Sequence, residues 1–329
     1  MGQPALGVKS KEGRFLRFCA SCAICFVLAL QACAALADTT RQGPDRGPRI
    51  GLIVSDLRNP FFMQIARSVE SAIQTGPYKN ARLTVVSSGF DPTRQAEQLE
   101  HMVQQRMSLV IISPIDSNLI GDRIADAQTA GIKVVAVDAA AQGADLTIMT
   151  DNNAAGRLAC GRLAEVLGGR GEVAIIHGPR NTAVVDRVQG CRSALGAFPR
   201  IHLVSEALNG GASKDGGLEQ MTKLLASFPR LMGIFAINDP TAIGAEVASR
   251  SAGRKMIITA VDGSPEVARR LQDGRTLISA TATQSPTRIG KEALWRGMEM
   301  LHGRKPNEPV VLLQPMLLTR ENAKTYSAW

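Results

Sequence analysis

An α/β fold built as two doubly wound lobes of parallel sheet is predicted by three features of the sequence. Short apolar runs rich in Val and Ile are continuous rather than alternating, as in strands buried on both faces. Each run is followed by apolar residues at three- and four-residue spacing, the mark of a helix with one buried face. There are also too many such runs for one comfortable open sheet, which favours two lobes over one.

The first run, Ile50-Gly51-Leu52-Ile53-Val54, opens the pattern, and Phe62, Ile65, Ala66, Val69, Ala72 and Ile73 form the helical face behind it. The alternation continues through candidate strands at Leu83–Val86, Leu109–Ile112, Val134–Val137 and Thr147–Met149. It then runs through Val173–Ile176, His202–Ser205, Gly233–Ile237, Ile257–Val261 and Leu277–Ala280, with a last strand at Pro309–Leu313. Regular βα alternation implies right-handed crossovers with helices covering the sheets. Gly168-Gly169-Arg170-Gly171 reads as a turn between helix and strand, lacking the Lys-Ser/Thr of a phosphate loop.

The N-terminus has a different character. A basic stretch, Lys9 to Arg17, precedes an apolar run, Phe18 to Leu30, and Ala35-Leu36-Ala37 offers a small-x-small cleavage site. Residues 1–37 therefore read as an export signal, and the run is short for a membrane span. An uncleaved anchor is the alternative, and Leu30-Gln31-Ala32-Cys33 offers a third, with Cys33 lipidated although Gln31 is a poor residue there. Cys19, Cys22 and Cys25 have metal-motif spacing but lie inside this apolar stretch, so no metal is assigned to them. Beyond it remain Cys160 and Cys191, each within an apolar helical pattern. They read as small buried hydrophobes. An oxidising compartment would also permit a disulfide between them.

Composition excludes several classes. The 329 residues are 45% hydrophobic and 20% charged, which is ordinary globular chemistry and neither disordered nor a multi-pass membrane protein. Removing the four basic residues and one acidic residue of the first 37 leaves 34 basic against 28 acidic, and these are scattered singly. With no basic stripe and only 4% aromatics, no nucleic-acid partner is expected. No nucleophile elbow, P-loop or His-Glu-x-x-His run occurs, and His101, His177, His202 and His302 are far apart. An enzyme is not expected, nor is any cofactor or metal.

In open α/β sheets ligands bind beyond the carboxyl ends of the strands, near the point where strand order reverses. The residues at those ends are polar or aromatic. Val54 leads to Asn59-Pro60-Phe61-Phe62; Val137 ends in Asp138; Ile237 ends in Asn238-Asp239; Val261 ends in Asp262-Gly263; and Leu277–Ala280 is followed by Gln284. Each has a bland explanation as a helix cap, a turn former or core. Five ends presenting amides, carboxylates and aromatics together instead point to one crevice.

At these residues the chain resembles the periplasmic sugar-binding proteins of the ribose/galactose type, over essentially everything from Arg49 onward. The resemblance rests on an ordered series. It begins with Ser55-Asp56-Leu57-Arg58-Asn59-Pro60-Phe61-Phe62 and Ser113-Pro114-Ile115-Asp116. Asp151-Asn152, Arg187-x-x-Gly190, Asn238-Asp239 and Val261-Asp262-Gly263 follow. It implies two lobes, 48–150 with 284–312 and 151–283 with 313–329, joined by a three-strand hinge around a ligand cleft. It implies that Asn59, Phe61, Phe62, Asp138, Asn238, Asp262 and Gln284 surround a sugar or polyol. It further implies a periplasmic monomer that hands this ligand to the membrane permease of an ABC importer. The alternative is a periplasmic sensor that presents the ligand to a chemoreceptor or histidine kinase.

Three positions depart from the ribose-binding pattern. Ala139 and Val185 stand where that pattern has ligand arginines, and Ala212 where it has a facing aromatic. The resemblance therefore implies a roomier site with under-compensated carboxylates, suited to a larger polyol, a modified sugar or a cationic ligand. Arg180, in His177-Gly178-Pro179-Arg180, is the candidate to replace one lost guanidinium. A repressor of the same fold would need a helix-turn-helix before the first strand. The export signal and the polar linker Asp38–Arg46 occupy that space.

Overall fold

A computed structural model of the protein describes residues 1–2 and 47–329. The predicted export signal and cleavage site, Cys19, Cys22, Cys25, Cys33 and the polar linker lie outside the described residues.

The first sheet contains β1 (Arg49–Val54), β2 (Arg82–Ser87), β3 (Leu109–Ile112), β4 (Lys133–Val137), β5 (Leu146–Thr150) and β11 (Val310–Leu313). The second contains β6 (Arg170–His177), β7 (Arg200–Asn209), β8 (Leu231–Ala236), β9 (Ile257–Asp262), β10 (Ile278–Thr283) and β12 (Leu317–Thr319). Their orders are β11-β5-β4-β3-β1-β2 and β12-β10-β9-β8-β6-β7, the same arrangement twice. Every pairing is parallel except that of β12 with β10. Strand order reverses between β1 and β3 in one lobe and between β6 and β8 in the other, which sets the two crevices where a ligand would bind. The central strand β3 is buried along its whole length and β1 along all but its first residue, whereas the edge strand β2 is not.

Among the described residues nine helices cover the sheets: α1 (Pro60–Thr75), α2 (Pro92–Gln104), α3 (Gly121–Thr129), α4 (Asn152–Val166) and α5 (Thr182–Gly196), then α6 (Lys214–Ser227), α7 (Asp239–Ser251), α8 (Pro265–Asp273) and α9 (Pro286–Leu301). Helix α9 follows β10 yet returns to the first lobe, where Gly290 lets it press against Ile65 and Ser68 of α1. The chain thus passes between the sheets three times, and the passages are bonded to one another. Asp151 N–H donates to the Leu313 carbonyl (2.9 Å), Thr283 N–H to that of Met316 (2.7 Å), and the Thr150 hydroxyl to Gln284 Oε1 (2.9 Å).

Helices α4 and α5 cross at backbone contact. A Cβ on Gly156 would strike the Arg187 carbonyl, and one on Gly190 that of Asn153. Beside this crossing Cys160 and Cys191 form a disulfide, with Cα atoms 5.0 Å apart. Both are fully buried, so the two readings of these cysteines hold together.

The predicted strands coincide with observed ones, with longer ends at β6 and β7. The three-residue β12 was not predicted. It is too short for a pattern, and it forms because Thr319 and Leu317 pair with Ala280 and Ala282 of β10.

Candidate ligand-binding cleft

The site is built from strand ends. At the end of β1, Asn59 caps α1, its Oδ1 accepting the Phe61 N–H at 3.0 Å, while Pro60 fits the first helical position. This cap aims the first turn of α1 into the cleft. Phe62 lines the hollow between the lobes, and Phe90, from the turn after β2, meets it edge-on at 6.1 Å. Phe61 does not line it. It is buried behind Phe62, edge-on to that ring at 5.3 Å and to Trp329 at 6.1 Å. Consecutive helical residues point about 100° apart, so only one of the pair can face the cleft.

At the end of β4, Asp138 sits in a three-residue turn closed by Ala139 N–H on the Val137 carbonyl (2.8 Å), with φ of 70°. Its side chain is 7% exposed and takes no hydrogen bond within the described residues. Burial pushes its carboxyl up to about 6, opposed by the Arg187 guanidinium and reinforced by the charge of Asp262.

The second lobe answers with a connected network. Asn238 caps α7, accepting from the N–H (3.1 Å) and hydroxyl (2.7 Å) of Thr241, and its Nδ2 donates to the Ala212 carbonyl (3.1 Å). Asp262, at the end of β9, accepts from Gln284 Nε2 (2.9 Å) and from the Asp239 backbone N–H (3.3 Å). Asp239 is fully buried and accepts from the Thr281 hydroxyl and the Ser264 N–H, each at 2.7 Å. Burial raises both Asp239 and Asp262, and Asp262 raises Asp239 further; for Asp262, Arg187 and Gln284 pull the other way. From the C-terminal residues, Trp329 Nε1–H donates to the Asp262 carbonyl (3.1 Å) and the Tyr326 hydroxyl to that of Gly263 (2.9 Å), fixing this turn.

Asn59, Phe62, Asp138, Asn238, Asp262 and Gln284 all line one hollow between the lobes. Arg180 does not: its neighbours Pro179 and Asn181 do, but Arg180 is exposed to solvent, where a long charged side chain is hydrated at no cost. The guanidinium of the site is Arg187. It is 5% exposed, with Nε on Asn152 Oδ1 (2.8 Å) and Nη1 on the Ile237 carbonyl (3.0 Å), and it lines the hollow. Arg187 acts on both Asp138 and Asp262 but does not offset their burial, so both carboxyls stay raised and the carboxylates are only partly compensated. Val185, two residues before it, is 56% exposed.

Arg187, Phe90 and Asn181 are among the lining residues that strand-end reasoning missed. Phe90 had a signal, since Gly89-Phe90-Asp91-Pro92 closes β2 as Asn59-Pro60 closes β1. Arg187 lies in the second turn of a helix; Arg187-x-x-Gly190 belongs to the series that carries the resemblance, but helical periodicity alone does not separate it from a surface arginine. Backbone geometry marks the site independently. Among the described residues five non-glycine residues have positive φ, and four of them, Phe90, Asp138, Ala212 and Asp262, line this hollow. Such conformations persist where surrounding structure holds side chains in place for a task.

Residues 50–305 match the family model described as periplasmic binding protein domain. The chain belongs to the periplasmic binding protein family. It is 29% identical over 264 residues to the ribose import binding protein of Bacillus subtilis, covering 79% of this chain and 84% of that one. It is 28% identical over 252 residues to the xylitol-binding protein of Mycolicibacterium smegmatis, covering 75% and 70% respectively. Among solved structures, an ABC transporter periplasmic solute binding protein from Actinobacillus succinogenes with bound D-allose superposes with a TM-score of 0.76 at 25% identity, covering 85% of this chain and all of that one. These relatives are binding proteins, and the members of this family named here bind sugars or polyols.

Proposed function

We propose that the protein is a periplasmic, non-enzymatic receptor that captures a sugar or polyol in this cleft and delivers it to the membrane permease of an ABC importer. One observation carries the reading: Asp138 from the first lobe and Asp262 and Arg187 from the second line one hollow beside Phe62 and Phe90. Ionised carboxylates accept from sugar hydroxyls, and Arg187 and the amides of Asn59, Asn238 and Gln284 donate to them. Phenyl faces cover the C–H side of a ring.

Capture works through the three bonded passages, which act as the hinge. The lobes comprise 48–150 with 284–312 and 151–283 with 313–329. Two bonds span the lobes at the cleft edge, Thr182 N–H to the Ser117 hydroxyl (3.0 Å) and Ala140 N–H to the Thr182 hydroxyl (2.8 Å). Opening breaks them, and a ligand that binds both walls favours the closed form. The protein acts as a monomer, exported through the signal in residues 1–37, and the closed form docks on the permease.

A thermal-shift screen against pentoses, hexoses and alditols tests the reading, since a tight ligand raises the melting temperature. At least one is expected to do so, with the shift lost in Asp262→Ala. No shift from any of them would overturn it. Uptake of that ligand should fail in a deletion strain; loss of a signalling response with uptake intact would instead favour the sensor.

A further inference from the structure

The inner hollow opens into an outer chamber of about 690 Å³, bounded by both lobes. The two share Asn59, Phe90, Ala212 and Asp262, so they are compartments of one cleft. Ala212 stands in the doorway, and its side chain is a single methyl. The inner hollow measures only about 40 Å³. At about 10–15 Å³ for each water position, that is space for roughly three waters, enough for the hydroxyls at a sugar's end but not for its whole ring, so the rest of the ligand extends past Ala212. The outer chamber is far larger and has a different lining. Its floor is Phe90, Pro240 and Ile243, and apart from Asp262 at the doorway its rim carries charges that cancel. Arg58 is paired with Asp56 at 2.6 Å and Lys214 with Glu266 at 2.8 Å, while Asp215 and Arg269 add one charge of each sign. An apolar floor with a balanced polar rim selects no ion and suits the flat face of a ring whose edge carries hydroxyls.

We infer that the cleft takes a glycoside, its sugar end held by Asp138, Asp262 and Arg187 and its second ring lying beyond Ala212 on the outer floor. This rests on the proposed sugar-binding function and adds the class of ligand.

Isothermal titration of the full chain tests it with D-ribose, D-allose and xylitol against methyl and phenyl ribosides, phenyl allosides, sucrose and trehalose. At least one two-ring ligand is expected to bind roughly tenfold or more tightly than any free sugar or alditol in the set. Asp215→Trp and Pro265→Trp narrow the outer chamber from the first turns of α6 and α8. Each should remove most of that advantage while leaving binding of free sugars within about threefold. Asp215 is exposed, so its variant keeps the fold even where the Pro265 variant does not. Free sugars binding while every two-ring ligand binds more weakly would overturn the glycoside and leave the sugar reading intact. A two-ring advantage untouched by the Asp215 variant would also overturn it. Silence from the whole set would remove the sugar reading itself.

Discussion

Both lobes run the same strand order, yet their rims differ. The first lobe brings two phenyl rings and Asp138, a buried carboxylate with no hydrogen bond among the described residues. The second brings Asp262, Asn238 and Arg187, each already held by partners, with Arg187 on a helix pair clamped by Gly156, Gly190 and a disulfide. A wall whose polar groups are pre-oriented loses little freedom on meeting a ligand, whereas one whose acceptor has no protein partner gains most when a hydroxyl arrives. The second lobe is thus built as the platform, and the first as the cover whose closing is driven by satisfying Asp138.

The sharpest way to break this contrast is to remove Arg187. It compensates buried carboxylates from both lobes, and deleting one partner of a buried charge cluster costs about 3–5 kcal/mol. Arg187→Met should lower the melting temperature and abolish measurable ligand binding. A variant as stable as the wild type would show that the platform is not organised around this residue.

The clamp comes next. A disulfide closing a loop of this length, with its cysteines 31 residues apart, stabilises by about 3–4 kcal/mol. The paired substitutions Cys160→Ser and Cys191→Ser should lower the melting temperature by roughly 10 °C. Hydrogen exchange in the double variant should accelerate in α4 and α5 before the helices of the first lobe. Uniform acceleration across both lobes would mean that the staple serves the whole molecule and not the platform.

Asp138 sets the third test, through pH. Its carboxyl is raised from 3.8 to about 6, so the folded protein binds a proton that the unfolded chain has already released. Its contribution to stability is therefore full below about pH 4 and lost as pH rises through 6, by up to about 3 kcal/mol. Asp239 and Asp262, also raised, add to the same slope. Unfolding of the ligand-free protein, followed from pH 4.5 to 7.5, should show falling stability with pH, and Asp138→Asn should flatten it. Ligand affinity should move oppositely, strengthening through pH 6 as the acceptor ionises. A variant that keeps the full slope would assign it to the Asp239–Asp262 pair instead.

The same contrast explains how much was legible beforehand. Strand ends are readable because a buried Val-rich run stops where a polar residue begins, and Asp138, Asn238 and Asp262 all sit at such stops. Residues presented by a helix face are not, because the helical period places Arg187 without saying which way α5 is turned. That rotation is set by Gly156 and Gly190, whose backbone contact is a tertiary fact. Arg180 was misplaced for a related reason: a loop residue beside two lining residues, Pro179 and Asn181, still has solvent on its other side. The cysteines left two readings open because their distance depends on the same helix crossing.

The smallest expected effect separates two neighbouring rings. Phe62 faces the hollow, while Phe61 fills the space between Phe62 and Trp329, whose indole holds the Asp262 carbonyl. Phe61→Leu conserves most of that volume and should cost less than about 1.5 kcal/mol of stability, with affinity nearly unchanged. Phe62→Leu removes a ring face from the ligand and should weaken binding by roughly threefold to tenfold, the worth of about 0.5–1.5 kcal/mol in aromatic packing, at similar stability. Titration of the two variants side by side decides which wall the ligand touches. Equal losses would mean that the first turn of α1 rotates on closure and that the cover, not only the platform, is rebuilt around its cargo.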